Sequence, residues 1–382
     1  MPDYPTYRSE RNFLLEQGAE VLELKNAEEN AALIVVPSMQ GRVMTSTASG
    51  DEGPGFGWIN HDFIRRGVRS PQFNNFGGEE RLWLGPEGGP FSLFFGKDRE
   101  QVYENWVVPA AVDREAFEVV SARDQNISLR LRSTVFNAAG QAFPLQLGRN
   151  ISLLNRNDLS EMIFVGLPDA VQCVAYRSDN ILTNRGTGPW TRDRGLVSLW
   201  MSSMLRVSSS TFIYIPYNEW GEGEVVNDEY FVKVPGDRLI TGKGMIRFRA
   251  DGALRSKIGL SESRSQGICG CYDPEKRILT VVKILPPEKK GPYVNSVWGP
   301  QDDPYHGDVI NAYNDGPLED GRIMGPFCEL ECSSPALELL PGESQQHTQV
   351  VMHFSGEEKD LDRIIRAVFG FGPEILNPIF LP

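Results

Sequence analysis

Two carboxylates sit two positions apart in Phe327–Ser333, which reads Phe-Cys-Glu-Leu-Glu-Cys-Ser. Alternation puts Phe327, Glu329, Glu331 and Ser333 on one side of a strand and Cys328, Leu330 and Cys332 on the other. The Cys/Leu/Cys side suits a core, because free cysteine packs as a small hydrophobe. The other side brings Glu329 and Glu331 to roughly 7 Å of each other along the strand. Two like charges held this close raise the pKa of one of them unless cations compensate. Such a pair serves either as acid and base, or as the acidic half of structural ion pairs with Lys257, Arg264 or Arg81.

Two further stretches are dense in groups that hydrogen-bond. Residues 60–96 carry Asn74, Asn75, Glu79, Glu80, Arg81, Trp83 and Glu87, punctuated by Gly77-Gly78 and Gly85-Pro86. We expect a loop-edge site there rather than a core. No Gly-Lys-Ser/Thr and no helix pattern follow, so this is not a phosphate loop. Residues 300–317 carry Tyr305, His306, Asp308, Asn311, Tyr313, Asn314 and Asp315. Planar amides, carboxylates and guanidinium groups satisfy vicinal hydroxyls, and Trp and Tyr faces cover the apolar faces of a sugar ring. The competing reading is that these groups merely cap turns in a large β protein.

The run Phe-Cys-Glu-Leu-Glu followed by Leu-Pro-Gly-Glu at 340–343 resembles the C-terminal signature of aldose 1-epimerases, the galactose mutarotases. Looser likeness to uncharacterised bacterial members of that superfamily runs through Gly77–Pro90, Ser178–Trp200 and Tyr305–Pro317. The resemblance implies an all-β fold, a large antiparallel supersandwich with a concave face for sugar. It implies that Glu331 is the general base that takes the anomeric proton. The epimerases use a mid-chain His as partner acid, but the analogous 153–159 here has none. Glu329 or His306 would then supply the proton. Substrate-binding roles fall to Asn74, Asn75, Glu79, Arg81, Trp83, Glu87, Lys257, Asp308, Asn311 and Asn314. The alternatives are a non-catalytic carbohydrate-binding protein, or a glycan lyase or hydrolase whose two carboxylates stand at the required separation.

The 382 residues carry a net charge of −13, and the pI is near 5. That balance disfavours nucleic acid and anionic membranes as partners and fits a small carbohydrate or glycan. No apolar run is long enough to span a membrane as a helix. Read as it stands, the chain is expected in the cytoplasm; a mature form shorn of a leader would be periplasmic or of the cell envelope. The oligomeric state stays open. Five cysteines, an odd number, do not suggest a full disulfide framework, and Cys269 and Cys271 lack zinc-ligand spacing. No cofactor is expected; Asp302, Asp303, Asp308 and Asp315 are of the type calcium accepts, at no EF-hand spacing. His347 and His353 alternate with apolar residues and read as structural.

The elements that position these groups are mostly short strands. We expect a helix over 6–17, then strands Val21–Lys25, Ala32–Val36 and Arg42–Thr47. Further strands are expected at Trp106–Pro109, Phe117–Ala122, Ile127–Phe136, Leu145–Leu154 and Glu161–Leu167. Beyond them lie Ser198–Met201, Thr211–Pro216, Tyr230–Lys233, Met245–Ala250, Leu279–Ile284 and Gln349–Phe354. A C-terminal helix over Glu357–Phe369, with Ser355 and Glu358 as a capping box, completes the set. With 38 Gly and 26 Pro at turns, no βαβ rhythm and no repeat, we expect one domain over 1–382.

Overall fold

The computed structural model describes residues 4–318 and 321–371. Helix α1 (Tyr7–Glu16) starts where Thr6 accepts a hydrogen bond from the Ser9 amide. It packs Leu14 and Tyr7 onto a three-stranded meander, β1 (Leu22–Asn26), β2 (Ala31–Val36) and β3 (Arg42–Thr47). The segment 37–41 between β2 and β3 turns through left-handed Gln40 and Gly41. A short helix α2 (His61–Arg66), which sequence reading does not anticipate, is capped by Asn60 and stopped by Gly67 at φ 65°. Strand β4 (Arg81–Gly85) follows.

Next come β5 (Glu118–Arg123), β6 (Asn126–Phe136) and β7 (Ala142–Leu154). After α3 (Arg156–Met162) the chain enters β8 (Gln172–Asn184), then β9 (Ser198–Arg206), β10 (Phe212–Pro216), β11 (Leu239–Gly242) and β12 (Met245–Arg249). The remaining strands are β13 (Ser256–Ser261), β14 (Ile268–Asp273), β15 (Ile278–Ile284), β16 (Asp308–Asn314), β17 (Phe327–Ser333) and β18 (Ser344–Ser355). Helix α4 (Glu358–Phe369) follows.

The long strands build a ten-stranded antiparallel sheet in the order β11-β12-β10-β14-β15-β18-β8-β7-β6-β5. A five-stranded antiparallel sheet, β13-β16-β17-β9-β4, covers one face of it. Between them one apolar cluster takes Cys328, Leu330 and Cys332 from β17, Cys269 and Cys271 from β14, and Leu147, Ile151 and Val351 from the larger sheet. The five cysteines are free and buried, as expected of core residues. On the outer face of the ten-stranded sheet, Val350, Met352 and Phe354 meet Leu361, Ile364 and Ile365 of α4. The period-2 pattern of β18 and the 3.6-residue pattern of α4 both come from burying these faces. Among the described residues no helix is long and apolar enough to cross a membrane.

Several expected elements differ. Glu161–Leu167 is not a strand: the side chains of Asn155 and Asp158 form a capping box that starts α3 instead. Trp106–Pro109 lies between two 3-10 turns and makes a single bridge, Phe95 to Trp106. Tyr230–Lys233 belongs to an irregular segment between β10 and β11. The stretch Ser178–Trp200, for which no strand is expected before Ser198, begins with the second half of β8, whose pairing with β7 and β18 overrides its polar composition. Helix α4 begins after Glu357 and has no side-chain cap, so the Ser355/Glu358 box does not form.

Candidate functional site

Because Cys328, Leu330 and Cys332 face the core, Glu329 and Glu331 face away from the ten-stranded sheet. Residues opposite one another in neighbouring strands share a face, so register assembles the rest. One row across the sheet is Gly259, Asn311, Glu331, Ser202 and Arg81. The next is Lys257, Tyr313, Glu329 and Met204, and on the other side lie Ser333, Trp200 and Trp83. The expected pair of carboxylates thus meets Arg81, Trp83, Lys257 and Asn311 on one surface.

Each carboxylate has a cation. Lys257 Nζ donates to Glu331 Oε2 at 2.8 Å, and Trp200 Nε1 donates to the same oxygen at 2.9 Å. Arg81 Nη2 donates to Glu329 Oε1 at 2.9 Å. The cations rest on aromatic rings: Arg81 lies 4.0 Å from the Trp83 centroid and Lys257 4.7 Å from that of Trp200. Trp83 and Trp200 meet edge to face at 5.2 Å. Burial pushes the Glu329 carboxyl up to about 7; Arg81 opposes the rise, and the charge of Glu331 together with a hydrogen bond to it adds to it. Burial opposes the Lys257 charge, but Glu331, Glu87 and Glu329 outweigh it and hold that pKa above the ordinary lysine value.

Loops cover this face and supply further groups. Glu87 accepts from Trp106 Nε1 at 3.0 Å; burial raises its pKa, and it feels both Lys257 and Glu331. Asp308, at the start of β16, accepts from Tyr230 Oη at 2.7 Å and from Asn227 Nδ2 at 3.0 Å. Its pKa is raised by burial, against those two bonds and Lys257. Asn311 Nδ2 donates to Tyr230 Oη at 3.0 Å. Gly259 is required under Asp308, since a Cβ there would lie 1.9 Å from Asp308 Oδ2. Four carboxylates, Glu87, Asp308, Glu329 and Glu331, therefore surround two cations, so the cluster holds surplus negative charge or a shared proton.

A cavity opens between the face and its cover, lined by Trp200, Tyr230, Lys257, Asp308, Asn311 and Ser296 among others. Its free space is about 10 Å³, room for one water, so a sugar ring enters only if the cover moves. That cover is the segment 217–238. Its Asn227 exchanges two backbone hydrogen bonds with Gly259, and Arg264 grips the carbonyls of Asn218, Glu219 and Gly223. Unspent hydrogen-bonding capacity remains on the face. Among the described residues Arg81 Nε and Nη1, Trp83 Nε1, Ser198 Oγ and Ser202 Oγ are buried without partners.

Not every expected site residue arrives. Residues 74–83 are not an exposed loop edge but buried. Glu79 turns into the interior, where it accepts from the Ser46 amide at 2.6 Å, Ser46 Oγ at 2.7 Å and His353 Nε2 at 2.9 Å. Asn74 is spent on Ser70 and Asp113. Asn75 is buried, with Oδ1 unpartnered among the described residues. Asn314 points off the carboxylate face and ties Gly252 to Leu254. His306 is exposed, in a bridge to Tyr293, two residues before Asp308 and not on the cavity wall. Arg264, weighed as a carboxylate partner, instead donates to the backbone carbonyls of the cover. Asp315 takes Tyr313 Oη and the Gly325 amide, and Asp302 and Asp303 are exposed, so the four aspartates do not converge. Among the described residues no three His, Cys, Asp or Glu side chains gather as a metal site.

Sequence reasoning missed Trp106, Trp200 and Tyr230 as members of the cluster. Parity on β9 marks Trp200, which alternates with Ser202 and Met204. Nothing local marks Tyr230; its role arises only where the segment folds back on β13 and β16.

Residues 5–377 match the model of a family described as a family of unknown function, DUF6786. No curated protein matches. Among solved structures, a protein provisionally assigned as an aldose 1-epimerase from Escherichia coli K12 is 12% identical, with TM-score 0.50 over 89% of this chain and 100% of that one. The Slr1438 protein of Synechocystis sp. PCC 6803 is 15% identical, with TM-score 0.52 over 89% of this chain and 96% of that one. A galactose mutarotase related enzyme from Lactobacillus acidophilus aligns at 9% identity and TM-score 0.48, over 89% and 99%. The fold is the galactose mutarotase-like supersandwich expected from the sequence.

Proposed function

The chain belongs to the DUF6786 family, and from that premise we propose that it binds a carbohydrate against the outer face of the five-stranded sheet and acts at its anomeric centre. The observation that carries this reading is the cluster itself: four carboxylates, two cations and two tryptophans meeting edge to face, gathered beside a cavity, with donors left unpaired among the described residues. Glu331 is the base, oriented by Lys257 and Trp200. Glu329, raised to about 7 and so still partly protonated at neutral pH, is the acid that the missing mid-chain His would otherwise supply. One group takes the anomeric hydroxyl proton while the other protonates the ring oxygen, and the ring opens. Arg81, Asn311, Ser198 and Ser202 are placed to hold hydroxyls, and Trp83 and Trp200 to cover the ring face.

A second reading, sugar binding without turnover, draws support from the ion pairs that occupy both carboxylates. NMR saturation transfer between anomers of several aldoses distinguishes the two. Turnover by the wild type that is lost in Glu331→Gln supports catalysis. Titration binding without turnover in either protein supports the binder, and no binding to any sugar removes both.

A further inference from the structure

The cluster faces a cavity with room for one water, yet an open groove of about 580 Å³ lies near it. The same two stretches of chain wall both. Gly85, Val294 and Ser296 line the cavity; Gly89, Gly299, Pro300 and Gln301 line the groove. Between them the stretches are locked together. The Glu87 amide donates to Ser296 Oγ at 3.1 Å, and Gly88 lies so close to the Val297 carbonyl that a Cβ would stand 2.2 Å from its oxygen. Gln101 ties the groove walls: its Oε1 accepts from the Gly89 amide at 2.9 Å and the Gly299 amide at 2.8 Å, and its Nε2 donates to the Gly89 carbonyl at 2.7 Å.

Glu87 joins the two spaces. On the cavity side its charge couples to Lys257 and Glu331; on the groove side it bonds to Trp106 and to Trp298, the neighbour of Gly299. Trp298 is itself packed edge-on against Phe95 at 5.0 Å and stacked on Trp106 at 6.3 Å. The groove offers the flat faces of Pro90 and Pro300, the exposed Glu100 carboxylate, and Gln301 Oε1, which is buried without a partner among the described residues. Among the described residues that line it there is no cation, and the chain carries −13 overall. These groups suit uncharged hydroxyls and repel anionic ligands.

We propose that this groove is the outer part of the same carbohydrate site, so that the ligand is a neutral oligosaccharide or glycoside with at least one unit beyond the one at Glu331. This rests on the carboxylate face being the sugar site. The outer unit lies along Pro90, Glu100 and Pro300, and Glu87 stands between it and the unit at the inner face. A groove of this volume accommodates a multi-unit ligand, whereas a free monosaccharide would leave it unused.

The test is calorimetric titration of the full chain with mono-, di-, tri- and tetrasaccharides of neutral gluco-, galacto-, manno- and xylo-series. Affinity is expected to rise at least tenfold from one unit to three. Pro300→Trp and Pro90→Trp, both at exposed positions, fill the groove and are expected to abolish that gain while leaving monosaccharide affinity and the melting temperature unchanged. Equal affinity at all lengths, or a length gain untouched by both tryptophans, overturns the groove and leaves the inner site standing. A length gain abolished by Pro300→Trp but indifferent to Glu331→Gln keeps the groove and removes the carboxylate face as the sugar site. No binding by any member of the series overturns both.

Discussion

Glu80 meets Arg149 with both side chains fully enclosed, whereas Glu331 meets Lys257 beside a cavity. Both belong to carboxylate pairs close in sequence, Glu79–Glu80 and Glu329–Glu331. In the interior, each acid has its own dedicated partners. Glu80 takes Arg149 and Gln349, and Glu79 takes Ser46 and His353, which in turn meets Thr280. On the sheet face three carboxylates crowd one ammonium, and Glu329 keeps its proton up to about pH 7. A matched set fixes a core; an unmatched one keeps a proton to exchange. The lesson is that burial alone does not identify a site. Charge surplus beside space does.

The largest effect expected from this contrast is on stability. Glu80→Ala leaves the Arg149 guanidinium buried without its carboxylate, at a cost of about 3–5 kcal/mol in urea unfolding. Glu331→Gln should cost clearly less, because Glu87 and Glu329 still neutralise Lys257. Equal losses would erase the distinction between the two pairs.

The pH dependence comes next. Glu329 is raised from 4.5 to about 7 in the folded chain. Between those values the folded state holds a proton that the unfolded state has released, so this group makes stability fall as pH rises from about 4.5 to 7, and adds no further slope above. The full span is on the order of 3 kcal/mol. Glu329→Gln, which resembles the protonated form, should flatten that part of the stability profile when unfolding is followed at pH 5 and pH 8. The same protonation makes proposed turnover fall as pH passes about 7.

For the chemistry, Glu331→Gln is expected to slow anomer exchange at least about a hundredfold, the lower end for removing a general base. Trp200→Phe keeps the ring that supports Lys257 but removes the donor to Glu331 Oε2. It should weaken sugar binding or turnover about tenfold, the scale of one hydrogen bond to a charged group. An unchanged Trp200→Phe would sharpen the comparison by assigning the orientation of Glu331 to Lys257 alone.

Alternation in Phe327–Ser333 was enough to place Cys328, Leu330 and Cys332 in the core and Glu329 and Glu331 away from it, because a strand has a period of two whatever it packs against. The ends of β3 and the hydrophobic face of α4 were legible for the same reason: local geometry repeats at a fixed interval. Polar density was a weaker guide. It pointed to Arg81, Glu87, Asp308 and Asn311, but it also drew in Glu79, Asn74 and Asn314. Composition cannot tell a buried hydrogen-bonded carboxylate or amide from one at a cavity. That Arg81 meets Glu329 across 248 positions, that Tyr230 closes over Asp308, and that Glu87 stands between cavity and groove were decided by strand register and by where loops fold back. Those depend on pairings between distant parts of the chain, which no local pattern encodes.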